Sequence, residues 1–142
     1  MKPMILSVFF LLAATIDSCL EKEPPPDPNE EMNSDLNYFT WNVLSYTENG
    51  LVRDLSILDI QIEFYRTSSL SGTTGVTEWY LVEGAQRVET IYSSDYIVSN
   101  EGQCLELEND KLNIQFEGSP SLLRIEGELE EIQVNIVAER RL

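Results

Sequence analysis

From Leu58 to Phe64 the chain alternates strictly. Leu58, Ile60, Ile62 and Phe64 are apolar, and Asp59, Gln61 and Glu63 between them are polar. Successive side chains of a strand point to opposite faces, so this run has one dry face and one wet face as a strand. Wound as a helix, it would have neither. Leu112-Asn113-Ile114-Gln115-Phe116 repeats the pattern. So does Ile132-Gln133-Val134-Asn135-Ile136, with Ala138 and Arg140 on the same parity. A wet face on each strand means antiparallel pairing rather than a doubly covered parallel sheet. Residues 39–47, 77–82, 87–92, 95–99, 103–107 and 122–126 are also rich in β-branched and aromatic residues. Turn signals separate the segments at Asn49-Gly50, Glu83-Gly84, Asn100-Glu101-Gly102, Asn109-Asp110 and Gly118-Ser119-Pro120. The expectation is an all-β domain: one antiparallel meander of about eight strands, closed as a barrel or left half open, with no helix. Within it Gln61 should face solvent. The polar run Thr67–Val76 should be a mobile hairpin tip or the lip of an opening.

The first residues follow a different rule. Lys2 precedes the apolar run Met4–Ile16, which has signal-peptide length and falls short of the ~20 residues that span a bilayer. It ends in Ile16-Asp17-Ser18-Cys19, which resembles the bacterial lipobox: an aliphatic residue three before, and a small residue just before, a cysteine. Asp17 departs from the usual Ala, Ser or Thr. The resemblance implies cleavage before Cys19 and acylation of that cysteine, with palmitate-type chains holding the protein on the cell envelope. The expected membrane is the outer membrane of a Gram-negative bacterium. Leu20–Asp35 carries four prolines, six acidic residues and one lysine. Such a stretch should stay disordered as an extended tether that adds nothing to folding stability. Glu21 and Glu23 resemble the acidic surface-export signal of some lipoproteins. The expected organisation is signal peptide 1–18, lipidated Cys19 and tether 19–35, and β domain 36–142.

Composition narrows the function. Cleavage would remove one of 9 basic and one of 25 acidic residues, so the net charge stays at −16. A nucleic-acid binder needs a basic footprint, and an electrostatic grip on anionic lipid needs one too. The chain has no histidine, which removes the commonest general base and the usual zinc ligands. Its sequence contains no phosphate loop and no EF-hand spacing. With Cys19 lipidated, Cys104 has no intramolecular partner and reads as a small strand residue. The carboxylates at Glu106, Glu108, Asp110, Glu126, Glu128, Glu130 and Glu131 read as solvated faces and turns. No enzymatic activity, cofactor, metal or nucleic-acid partner is expected.

The domain resembles the lipocalin-like domains of small bacterial lipoproteins over most of Tyr38–Arg140. The resemblance rests on Trp41-Asn42-Val43-Leu44-Ser45-Tyr46-Thr47-Glu48-Asn49-Gly50, on the Ile60–Tyr65 strand, and on the pair of segments Tyr96–Gly102 and Leu112–Phe116. Phe39 stands where that family usually has glycine. The resemblance implies a barrel with Trp41 closing one end, an arginine such as Arg140 packed across it, and room for a small apolar ligand. Trp41, Ile60, Ile62, Phe64, Trp79, Ile114 and Phe116 would either line that space or fill it as core. The first expectation is therefore an anchored β-barrel that binds a small apolar ligand. The alternative is a surface interaction module or accessory subunit with a filled core.

Overall fold

A computed structural model describes residues 25, 27–56, 59–66, 72–118 and 121–141. The signal segment, Cys19, Leu58 and residues 67–71 lie outside the described residues, and the connection expected over 67–76 ends earlier, because Thr74, Gly75 and Val76 are already paired in a strand. Helix α1 (Pro28–Tyr38) leads into nine strands: β1 (Thr40–Glu48), β2 (Leu51–Val52), β3 (Asp59–Arg66), β4 (Thr74–Glu83), β5 (Gln86–Ser99), β6 (Cys104–Leu107), β7 (Lys111–Glu117), β8 (Leu122–Leu129) and β9 (Ile132–Arg141). All the pairings are antiparallel. Strands β3 to β9 pair in order, and β1 joins both β3 and β9, so eight strands close a barrel and β2 is an extra strand on β1. The seam is unequal. β1 and β9 share a long register from Thr40↔Arg141 to Glu48↔Val134, whereas β1 and β3 share only Trp41↔Ile62 and Asn42↔Gln61.

The alternating runs lie where their period puts them. Ile60, Ile62, Phe64, Leu112, Ile114, Val134, Ile136 and Ala138 all enter one buried cluster with Trp41, Trp79 and Tyr96. Trp41 and Ile62 are register partners, and both are fully buried. Phe116 is partly buried and stacks on Trp41, with ring centroids 5.6 Å apart.

Three further expectations need correction. Residues 87–92 and 95–99 are one 14-residue strand, because Ser93 and Ser94 stay paired to Glu78 and Thr77 on β4. Gln61 is buried rather than exposed. It lies on the outer wall beside its register partner Tyr80, in a dense layer of long side chains. There Arg87 lies 4.1 Å over the Tyr80 ring, Tyr65 and Arg87 both bond Glu63, and the Tyr65 and Tyr80 hydroxyls are 3.1 Å apart. That layer covers a face that period-2 reasoning leaves to water.

The third correction is the helix. Residues 28–35, expected in an extended tether, form most of α1, and α1 docks on one barrel end. Asp27 caps it by accepting from the Asn29 amide at 2.9 Å. Pro28 stands in the first turn, where a missing N–H costs nothing, and Glu30 and Glu31 complement the dipole there. Leu36 and Asn33 are fully buried. The Asn33 amide donates to Gly72 O at 2.7 Å and Thr74 O at 3.3 Å, and its oxygen accepts from the Tyr96 hydroxyl at 2.5 Å. Asn37 donates to the same oxygen at 2.9 Å and to the Tyr96 hydroxyl at 3.0 Å. The Trp41 indole donates to Leu36 O at 3.2 Å, and the Gly102 amide donates to Asn29 at 2.7 Å. Gly75 makes the fit possible. A Cβ there would lie 2.3 Å from Tyr65 O and 2.5 Å from the Tyr96 hydroxyl. Arg140 pairs with Trp41 in register and places its guanidinium 5.1 Å over the Phe39 ring, which meets Trp41 edge-on.

Candidate functional site: the open end of the barrel

Helix α1, Phe39 and Trp41 seal one end. At the other end, between β1, β4, β5 and the β8–β9 turn, the surface dips into a recess of about 150 Å³. Each wall has a local cause. β1 carries a bulge between Val43 and Ser45. The bulge resets the parity, so Trp41, Val43 and then Tyr46 turn inward while Leu44 and Ser45 face out. β5 brings Tyr92 in on the same parity as Ser94, Tyr96 and Val98. Tyr92 packs against Trp79 of β4 with centroids 5.1 Å apart and planes at 57°. Trp79 is only 1 % exposed and forms the floor, its indole held by Thr77 Oγ1 at 3.1 Å. Leu129, Ile132, Val134 and Ile91 complete the apolar lining.

The rim is polar and mostly acidic. Glu48 and Arg53 form an ion pair at 3.7 Å, with Arg53 5.7 Å over the Tyr46 ring. Glu130 stands opposite, in the two-residue turn between β8 and β9. Both turn residues are left-handed, Glu130 at φ 50° and Glu131 at φ 69°. Asn-Gly is the usual occupant of such a turn, and Asn49-Gly50 fills the β1–β2 turn in the same conformation. Asp110 helps hold the Glu-Glu turn by accepting from the Glu130 amide at 3.2 Å.

This end carries a negative field. Burial, with the charge and hydrogen bond of Glu48, pushes the Tyr46 hydroxyl up to about 12, against the opposing charge of Arg53. Burial also raises Tyr92, and the charges of Asp110, Glu130 and Glu108 add to that. Both tyrosines are therefore neutral hydroxyls at physiological pH. Among the described residues no group of three His, Cys, Asp or Glu could hold a metal ion.

Of the seven interior residues singled out from sequence, only Trp79 reaches the recess. Trp41, Ile60, Ile62, Phe64 and Ile114 are packed in the buried cluster, and Phe116 packs against it at the sealed end. The recess residues missed were Tyr46, Glu48, Arg53, Ile91, Tyr92, Leu129, Glu130, Ile132 and Val134. Tyr92 was legible through its shared parity with Tyr96. Tyr46 was hidden by the bulge, and the turn glutamates looked like any solvated turn. No family model, curated protein or solved structure matches the chain.

Proposed function

We propose that this is a lipid-anchored envelope protein that binds a small ligand in the open end of its barrel and catalyses no reaction. The Ile16-Asp17-Ser18-Cys19 stretch supports the anchor. The observation carrying the binding half is the recess itself, which joins aromatic and aliphatic side chains to the charged groups Glu48, Arg53 and Glu130, as ligand sites do. Its volume limits the occupant. At about 150 Å³ it is below the ~300–1,000 Å³ of ordinary ligand pockets and suits a benzene-sized group rather than a fatty acid. Two experiments test the two halves. Replacing Cys19 by Ala should leave uncleaved precursor without a lipid label, and normal labelling would remove the anchor. Small apolar probes should shift the tryptophan emission of the wild type, and Ile132→Trp, which crowds the recess, should weaken that shift.

A second reading, a protein-interaction module, has one specific observation in its favour. Leu51 and Val52, on the β1–β2 hairpin beside Arg53, are 76 % and 79 % exposed. Replacing both by Ser would abolish partner binding on that reading and leave small-ligand binding unchanged.

A further inference from the structure

We propose that the recess takes a small organic cation, an alkylated ammonium head of about the size of choline. This rests on the reading above that the recess is the ligand site, and it names the chemistry. An ammonium carrying methyl groups needs apolar contact and negative potential in one place, and angled aromatic faces supply both. Tyr46 and Tyr92 both line the recess, and Tyr92 is backed by the buried Trp79 ring. Glu48 and Glu130 stand at the mouth. Glu130 lines the same recess as both tyrosines, and its negative charge acts on each hydroxyl.

The site already shows this preference within the chain. Arg53 sets a cation over the Tyr46 ring and against Glu48, on a side chain that is 42 % exposed. An exposed pair of this kind is held weakly, so a better-fitting cation can displace the guanidinium into solvent and take over the same carboxylate and ring. The net charge of −16 raises the local concentration of any cation. The volume, about 150 Å³, admits a trimethylammonium head and excludes a long acyl chain.

The test is calorimetry on the full chain in an uncharged detergent. Choline is compared with 3,3-dimethylbutan-1-ol, which has the same shape and no charge. The expected result is that choline binds at least tenfold more tightly. Glu130→Gln should weaken choline at least fivefold more than it weakens the alcohol, with an unaltered melting temperature. Equal affinity for the two probes would overturn the cation inference and leave a small apolar ligand in place. Tighter choline binding that is indifferent to Glu130→Gln would overturn the placement between the tyrosines. Binding of neither would overturn both this inference and the ligand reading beneath it.

Discussion

Replacing Asn33 by Ala probes how firmly α1 seals the barrel. The side chain is fully buried and makes two donor and two acceptor contacts, to Gly72 O, Thr74 O, the Tyr96 hydroxyl and Asn37. A hydrogen bond contributes about 1 kcal/mol net, and a buried donor left without an acceptor costs about 1–3 kcal/mol. The Tyr96 hydroxyl becomes that stranded donor, because Tyr96 is only 2 % exposed and its remaining contact, Asn37 Nδ2, is itself a donor. The expected loss is about 3–4 kcal/mol, a large part of the ~5–15 kcal/mol that a small domain has. At roughly 4–8 °C per kcal/mol, the melting temperature should fall by more than about 10 °C in a circular-dichroism melt. Ser34→Ala, one residue along on the exposed side, should shift stability by less than about 0.5 kcal/mol. Tyr96→Phe should couple with Asn33→Ala by at least about 1 kcal/mol in a double-mutant cycle. An Asn33→Ala melt within about 2 °C of wild type would refute the docked helix and return residues 28–35 to the tether.

Three further outcomes follow from the same geometry. A chain starting at Leu36 should melt far below one starting at Leu20, because it lacks Asn33, Met32 and the Asn29–Gly102 hydrogen bond; equal melts would show that α1 adds no stability. Glu131→Gly, which relieves a left-handed glutamate in the β8–β9 turn, should raise stability by up to about 1 kcal/mol in denaturant titration, and a loss would mean that the Glu131 side chain makes a contact that outweighs the strain. Alkaline unfolding should be steep. Burial pushes Tyr96 up to about 12 and Tyr46 likewise, whereas both ionise near 10 once unfolded. Their contribution is therefore complete below about pH 10 and lost between about 10 and 12, and a flat stability profile over that range would contradict the burial of the two hydroxyls.

The alternating runs carried the barrel, because a strand with one dry face writes its period directly into Leu58–Phe64, Leu112–Phe116 and Ile132–Ile136. The helix was illegible for a physical reason. Its buried face is made of Asn33 and Asn37 as much as Met32 and Leu36, so hydrogen bonds to Gly72, Thr74 and Tyr96 replace the apolar stripe that marks a helix. The prolines before it favoured an extended chain, yet Pro28 is the residue that starts the helix. The recess failed differently. One bulge after Val43 turns Tyr46 inward against strict alternation, and a parity count cannot see an inserted residue. Gln61 failed because outer-wall burial depends on neighbours on β4 and β5, which no local pattern encodes.

The two tryptophans report separately on the two ends of the barrel. Trp41 sits under α1 with its indole donating to Leu36 O, and Trp79 floors the recess with its indole on Thr77. Each indole N–H gives its own resonance in a ¹⁵N-correlated spectrum, so one titration with choline reads both ends at once. The Trp79 indole should shift saturably together with the amides of residues 129–132, while Trp41 stays fixed. A shift of Trp41, or no movement of Trp79 at saturating choline, would contradict a barrel sealed at one end and binding at the other.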